Sequence, residues 1–215
     1  MAKVEKQEHA GVFGRSTSKT RKSAATRRRI MDAAAQLMVE HGNTAFQMSE
    51  ISERCEMSKG AIYYYFADKE DLVSAVYEDQ LDDLVRAIDI AVDNTDTAVE
   101  ALRNACAEFA TRAGSGSPLA MAIVRELLLS REDVPKKQVR SIHHIIEVVA
   151  SQLERAKREG VVREDTDVEL AAVSACGAFT FAAASFLMRA DHVAITSETF
   201  ASELFDLLVH GIGNQ

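Results

Sequence analysis

Apolar residues recur along most of the chain at the three- and four-residue spacing of amphipathic helices, without the alternation that is typical of strands. The pattern predicts nine helices, so we expect an all-α fold with a three-helix N-terminal head and a larger helical body. The predicted helices lie at about Ala24–Glu40, Met48–Cys55, Lys59–Tyr65, Lys69–Val92, Thr97–Ala113, a sixth from Pro118, then Pro135–Glu159, Asp167–Arg189 and Thr196–Val209.

Residues with special roles at helix ends support these boundaries. Gly42 follows the first helical pattern and suits a left-handed C-terminal stop. Ser58 and Asp68 precede the third and fourth patterns and can accept hydrogen bonds from the first free backbone amides. Thr166 and Glu169 have the spacing of a capping box for the eighth helix.

The second and third helices are short and are joined by a tight turn. Ile62 and Phe66 lie four residues apart, so they share one face of the third helix and can be buried together. Three consecutive tyrosines follow Ile62, and they cannot all face inward because successive residues are ~100° apart. The outer face is therefore basic and aromatic, as in a helix that reads the major groove. The alternative is a surface helical hairpin with buried tyrosines.

Residues 46–72 resemble the helix-turn-helix of the TetR family of bacterial transcriptional regulators. The resemblance rests on the run S-K-G-A-I-Y-Y-Y-F-A-D-K-E-D-L from Ser58 to Leu72, together with Phe46 and Ile51. Gln47 replaces a usual threonine, and Tyr65 stands where histidine is common. Glu56 replaces a turn glycine, which places a Cβ where positive φ is expected.

The resemblance implies sequence-specific binding to double-stranded DNA at a palindromic operator. We expect Lys59, Ala61 and Tyr64 nearest the base edges, and Tyr63 and Lys69 on phosphates. Arginines at the start of the first helix oppose its dipole, which a DNA phosphate would relieve. The predicted DNA-binding residues are Thr26, Arg27, Met48, Ser49, Ser58, Lys59, Gly60, Ala61, Tyr63, Tyr64, Tyr65 and Lys69.

The charge distribution agrees with DNA binding by the N-terminal third alone. The net charge is −8, but residues 1–69 carry 12 Lys and Arg against 8 Asp and Glu, whereas the remainder carries 13 against 25. Only the first part attracts phosphate. We predict a flexible basic arm at 1–23, a helix-turn-helix domain at 24–84 with its motif at 47–66, and a regulatory and dimerisation domain at 85–215. The arm either touches DNA or stays unattached.

The eighth and ninth helices are apolar nearly all round, which predicts burial on more than one side. We interpret them as the interface of a two-fold homodimer, as the family resemblance also implies; the alternative is the core of a monomer. The predicted interface residues are Ala175, Ala178, Ala182, Phe200, Leu204, Phe205 and Leu208.

The family resemblance also implies a small-molecule effector that binds in the body and releases a repressor from its operator. The residues that we expect to line its pocket are Phe109, Met121, Val124, Leu128, Ile142, His143, Ile146, Phe179 and Phe186. Ordinary core packing is the alternative for each of them. A tightly packed body would instead favour a helix-turn-helix regulator without a small ligand, controlled by a protein partner or by its abundance.

Other functional classes find no support in the sequence. The chain has no G-x-S-x-G, H-E-x-x-H or P-loop motif, so we predict neither an enzyme nor a cofactor. Its three cysteines have no paired spacing, which disfavours a zinc site and suits a reducing compartment. We expect a cytoplasmic protein without membrane contact, since the sequence lacks both a signal core and a long apolar run.

Overall fold

The computed structural model describes residues 13–93, 95–113, 117–122, 136–188 and 197–212, and these residues form nine helical segments. The predicted all-α class is confirmed. The segments are α1 Phe13–His41, α2 Met48–Arg54, α3 Lys59–Tyr65, α4 Lys69–Asp93, α5 Ala98–Arg112, α6 with residues 118–122 described, α7 Lys136–Arg158, α8 Val168–Met188 and α9 Ser197–Ile212.

The head consists of α1, α2, α3 and the first half of α4, packed around one apolar core. Phe46, Ile51, Ile62 and Phe66 are almost completely buried in this core. The other side chains of the core come mainly from one stripe of α1 and from the first two turns of α4. Because α2 and α3 have only seven residues each, tertiary packing rather than intrinsic propensity holds them helical.

The body is built on the second half of α4, which packs against α5 and α7. Leu81, Leu84 and Ile88 of α4 form its central cluster with small residues of α5 and with Leu119 of α6. In addition, α8 packs against α7, and α9 packs against α5. A single helix, α4, therefore contributes to both the head core and the body core.

Several predicted helix ends are confirmed. Gly42 has φ of 65°, and Glu56 is left-handed at φ 50°, as its place in the motif predicted. The Ser58 hydroxyl accepts from the Ala61 amide at 3.3 Å, and Asp68 accepts from the Asp71 amide at 2.8 Å. Glu56 thus adopts the left-handed conformation of the turn between α2 and α3. Glycine would adopt it at a lower conformational energy, because it has no Cβ.

Two predicted boundaries are wrong. The first helix begins at Phe13 rather than near Ala24, so residues 13–23 of the predicted arm are helical; residues 1–12 lie outside the described residues. This polar segment contains no proline, and it extends a helix that the head core has already nucleated. The cap of α8 is Asp167, whose Oδ1 accepts from the Glu169 and Leu170 amides at 3.1 Å each, and not Thr166.

Among the described residues, no helix is long and apolar enough to cross a lipid bilayer.

Candidate functional site

Two tyrosines of α3 face solvent while the helix stays anchored by its opposite side. Ile62 is fully buried, and Tyr64 is 81% exposed. Tyr63 is also exposed, whereas Tyr65 is partly buried and meets the Tyr64 ring edge-on with centroids 5.2 Å apart. The prediction that the three rings cannot all face inward is confirmed, and the exposed rings lie on the face expected to meet DNA.

The first turn of α3 places one lysine and two small residues beside these rings. Lys59 and Gly60 are exposed, and Ala61 is partly buried. A Cβ added at Gly60 would meet no atom within 4 Å, and its φ is not left-handed, so neither packing nor backbone geometry in the free protein requires glycine there. Glycine in a helix costs up to about 1 kcal/mol relative to alanine. The predicted contact of Gly60 with DNA stays a prediction, and its exposed backbone leaves room for it.

Two predicted DNA-binding residues of α1 have intramolecular partners. The Arg27 guanidinium lies 4.6 Å from the centroid of the Phe66 ring, and its Nη1 donates to the Met31 sulfur at 3.2 Å. The Thr26 hydroxyl donates to the Lys22 carbonyl at 2.9 Å. Because α1 starts at Phe13, both residues lie in mid-helix, and the argument from the N-terminal dipole is wrong for them. Their contact with DNA stays a prediction on other grounds.

Four other predicted DNA-binding residues also make contacts within the head. Met48 is buried in the head core, Ser49 is partly buried, and Ser58 caps α3. The Lys69 ammonium donates to the Phe46 carbonyl at 3.3 Å and lies 5.4 Å from that residue's ring centroid. Lys69 thus links the start of α4 to the residue just before α2. The predicted phosphate contact would use another N–H of the same ammonium group.

An ionic cluster that sequence reasoning missed joins α1 to α4. Arg28 lies 2.9 Å from Asp32 on its own helix, 2.7 Å from Asp79 and 3.9 Å from Asp83. The pair four residues apart was readable from the sequence, but the partners on α4 were not. Burial raises the pKa of the Asp79 carboxyl, and the nearby Arg28 guanidinium opposes that shift.

Replacing Arg28 by Gln should therefore raise the pKa of Asp79 further, because its nearest cation is lost. Since that pKa lies above its unfolded value, charged Asp79 destabilises the folded state at neutral pH. The variant should therefore lower the free energy of unfolding at neutral pH. This loss disappears as the pH falls below the pKa of Asp79 in the unfolded chain. Titration of the Asp79 carboxyl by NMR measures the shift. Arg86→Gln is the matched control and should raise the pKa less, since Arg86 is a weaker influence on Asp79 than Arg28 is.

The body contains a partly open cavity of about 730 Å³. Five of the nine predicted residues line it: Phe109, Ile142, His143, Ile146 and Phe179. The rings of Phe109 and Phe179 meet edge-on with centroids 5.5 Å apart, so α5 and α8 are in contact at the cavity wall. Leucine and isoleucine side chains of α4 form another part of the wall, which sequence reasoning missed. They are Leu81, Leu84 and Ile88.

Of the other predicted pocket residues, only Met121 has a described side chain, and it does not line the cavity. Met121 instead packs into the head core with Ala122, because α6 reaches from the body to the head, so its assignment to the pocket is wrong. Val124 and Leu128 lie outside the described residues, as does the side chain of Phe186 on α8. Of the adjacent histidines, His143 reaches the cavity, whereas His144 lies 2.8 Å from Asp89 of α4.

Two thiols also face this cavity. Burial raises the pKa of Cys106 to about 12, with the neighbouring Cys176 thiol adding to the effect, and burial raises the pKa of Cys176 to about 11. Both thiols are therefore protonated near neutral pH, when they are weak nucleophiles. They behave as small apolar wall residues. Among the described residues, no group of three His, Cys, Asp or Glu side chains could hold a metal ion.

The predicted dimer interface needs a correction at Phe205. This residue is 3% exposed within the single chain, and the Arg103 guanidinium of α5 lies 4.4 Å from its ring centroid. Phe205 therefore belongs to the contact between α5 and α9 and to the cavity wall, which Ala175 also lines. Ala178 and Leu204 are partly buried, and the side chains of Ala182, Phe200 and Leu208 lie outside the described residues.

An apolar surface nevertheless remains on the outer side of α8 and α9. Leu170, Val173 and Phe181 are exposed on α8, and Leu207 is exposed on α9. Val173 and Phe181 lie eight residues apart, with the exposed Gly177 midway, so they share one helix face. We define Val173, Phe181 and Leu207 as the outer patch, whereas Leu170 also lines the cavity. Exposed apolar patches of this kind mark interaction surfaces.

Comparison with known proteins agrees with this arrangement. Residues 30–76, which cover most of the head, match the profile of "Bacterial regulatory proteins, tetR family". The Fatty acid metabolism regulator protein of Bacillus subtilis is 25% identical over 86% of this chain and 95% of its own length. The HTH-type transcriptional repressor KstR2 of Rhodococcus jostii is 26% identical over 67% of this chain and 72% of its own length.

A solved structure shows the same fold. FadR of Bacillus subtilis, in complex with stearoyl-CoA, superposes with a TM-score of 0.69 at 24% identity, over 86% of this chain and 98% of that one. The shared fold covers both the head and the body. The matching profile shows that residues 30–76 form a DNA-binding head of the TetR family of bacterial regulatory proteins, and with the full-length likeness to known regulators the chain is a transcriptional regulator of this type.

Proposed function

We propose that this protein is a homodimeric repressor that binds a palindromic operator in the cytoplasm and is released from it by an apolar small molecule. The cavity carries the proposal, because it lies in the body and shares a helix with the head. Tyr77 of α4 packs in the head core, and Leu81, one turn later, lines the cavity. An occupant of the cavity therefore touches the helix that supports the DNA-binding surface.

A second connection runs through α6. Leu119 packs in the body cluster with Leu84, while Met121 and Ala122 pack in the head core. A shift of α6 relative to the body would thus displace side chains of the head core that lie within one turn of Leu119. The two connections give a ligand in the cavity a physical route to the angle of the head, which is what release from DNA requires.

The lining of the cavity supports an effector with a long apolar part. Aliphatic and aromatic side chains of α4, α5, α7 and α8 form most of the described wall. The Bacillus subtilis relative is known in complex with stearoyl-CoA, so a long-chain acyl group is the first class of molecule to test. The existence of the cavity favours this function over a regulator without a small ligand, which a tightly packed body would have indicated.

The outer patch supports dimerisation. Two copies of α8 and α9 can form a four-helix interface about a two-fold axis, and this presents two heads to a palindromic site. Phe181, 68% exposed in the single chain, is the largest side chain of the patch.

Replacing Phe181 by Asp should convert the dimer, of about 47 kDa, into the 23.6 kDa monomer, because the interface would bury an unpaired charge. Light scattering at micromolar concentration measures the mass. Ile90→Asp is the matched control, since Ile90 is 69% exposed but lies on α4, and it should leave the dimer intact. A monomeric wild type would contradict the proposed assembly.

Selection of bound fragments from random DNA, followed by effector titration, tests the function as a whole. A two-fold symmetric consensus is expected, with half-sites about one helical turn apart. The complex on that consensus should dissociate when acyl thioesters are added. Failure of every cavity ligand to release the DNA would point back to control by a protein partner.

A further inference from the structure

Three consecutive arginines of α1 each contact a different part of the head. The Arg27 guanidinium lies over the Phe66 ring at the end of α3, and Arg28 pairs with a carboxylate of α4. Arg29 turns to the end of α2. Successive residues of a helix are about 100° apart, so the three side chains spread over about 200° of the circumference of α1. The run thus connects α1 to each of the other helices of the head.

The contact between Arg29 and Cys55 is reciprocal. The Arg29 Nη2 donates to the Cys55 carbonyl at 2.8 Å, and the Cys55 Sγ donates to the Arg29 carbonyl at 3.8 Å. Burial raises the pKa of the Cys55 thiol, although the nearby guanidinium opposes that shift, so the thiol keeps the proton that it donates. The first of the two bonds has a charged donor, which makes it roughly twice as strong as a neutral hydrogen bond.

The carbonyl that Arg29 binds lies at the start of the turn between α2 and α3. Cys55 is the C-cap of α2, a position at which backbone carbonyls lack a partner within the helix. The amides of Glu56 and Met57 donate to carbonyls of α2 at 3.1 and 2.9 Å, and Ser58 then caps α3. The turn is therefore bonded to α2 as one unit, and Arg29 ties that unit to α1.

The position of this turn affects how α3 lies on DNA. Because α3 has only seven residues, the turn that precedes it strongly influences its direction. Hydrogen bonds to base edges tolerate shifts of only a few tenths of an ångström, whereas flexible side chains can still reach phosphates after a larger shift. A loosened turn should therefore reduce sequence discrimination more than general affinity for DNA.

We propose that Arg29 is a positioning residue for sequence reading, whose guanidinium holds the turn between α2 and α3 and thereby orients α3 on the base edges. It acts through the Cys55 carbonyl and not by contact with DNA. The sequence did not single out Arg29 as a DNA-binding residue, because its partner is 26 positions away along the chain. The inference rests on the operator binding proposed above and is independent of the effector.

Replacing Arg29 by Gln should lower the ratio of operator affinity to unrelated-DNA affinity about tenfold, within the discrimination of one good base contact. The neutral glutamine side chain is too short to keep the bond to the Cys55 carbonyl. Arg29→Lys keeps the charge and a donor of nearly the same reach, so it should retain most of the ratio. Fluorescence anisotropy with the selected operator and with unrelated DNA of the same length, over a series of salt concentrations, measures both affinities.

Hydrogen exchange of the free protein tests the positioning role without DNA. In Arg29→Gln the amides of Glu56 and Met57 should lose about tenfold in protection, because a bond that holds the turn is gone. The Leu72 amide, which donates to the Asp68 carbonyl at the start of α4, should keep its protection. The variant should stay folded, since Arg29 is an exposed residue.

The matched control is Arg28→Gln, the same loss of charge at the neighbouring residue. Its partners are carboxylates of α1 and α4 and not the turn. This variant should leave the affinity ratio and the protection of the Glu56 and Met57 amides as in the wild type. Any general effect of the lost charge acts on operator and unrelated DNA alike and cancels in the ratio.

Three results for Arg29→Gln would refute the positioning role. Equal weakening on both DNAs, with a salt slope lower by about one, would assign Arg29 to a phosphate contact. A lower melting temperature with an unchanged ratio would make Arg29 a stabilising residue only, and unchanged protection of the turn amides would remove the mechanism. A wild type that selects no consensus DNA would refute the proposed function as well, whereas a selective wild type with an unaltered variant ratio refutes the positioning role alone.

Discussion

Operator DNA should weaken effector binding about 100-fold, the same factor by which the effector weakens operator binding. Such coupling corresponds to about 2.7 kcal/mol, and reciprocity follows from thermodynamic linkage. The structural basis is α4, whose 25 residues span about 37 Å and contribute both to the head core and to the cavity wall. Two heads must lie about 34 Å apart to enter successive major grooves, so a small tilt of α4 at the body displaces a head from its groove.

Isothermal titration of an effector in the presence and absence of operator measures this coupling. A DNA of the same length and unrelated sequence is the control, and it should reduce effector affinity far less. Equal effector affinity with and without operator, for a ligand shown to occupy the cavity, would rule out coupling for that ligand. Salt concentration must be the same in every titration, since DNA affinity falls steeply with salt.

Replacing Tyr64 by Ala should weaken operator binding by about 5- to 150-fold. The stability of the variant should stay near that of the wild type. The expected loss corresponds to about 1–3 kcal/mol, the range of a good base contact. Stability should change little because the ring is 81% exposed and anchors no core. Fluorescence anisotropy with operator and with unrelated DNA measures the two affinities, and thermal unfolding measures stability.

The control for this variant is Ile90→Ala, which removes another exposed large side chain, from α4 and far along the chain from the helix-turn-helix. It should leave operator binding unchanged. A Tyr64→Ala protein that loses affinity equally for operator and unrelated DNA would show that Tyr64 contacts the DNA backbone rather than bases. Unchanged operator binding would remove Tyr64 from the interface.

The helix-turn-helix was predictable because its determinants are local. The four-residue spacing of Ile62 and Phe66 defines the buried face of α3, and Ser58 caps it within one turn. The positive φ of Glu56 follows from its place in a tight turn. All of these contacts lie within a few residues in sequence, so spacing along the chain is enough to identify them.

The cavity was predictable only in part. Phe109 and Phe179 belong to helices whose apolar faces are visible in the sequence, but those faces do not show whether they enclose space or close upon each other. Met121 shows the limit, since an apolar residue of the body helix α6 packs into the head instead. Whether an apolar side chain packs in the core or lines the cavity depends on how the helices cross. The periodicity of a single helix does not indicate this crossing.

The sequence by itself determined the helical class, the exposed aromatic face of α3 and the polarity of charge between the N-terminal third and the rest. Tertiary structure alone decided which distant groups meet. It brought Arg28 to Asp79, turned Phe205 inward against Arg103 and placed Met121 of α6 in the head core. Local patterns fix a helix because its contacts span four residues, whereas these contacts join residues brought together only when whole helices pack.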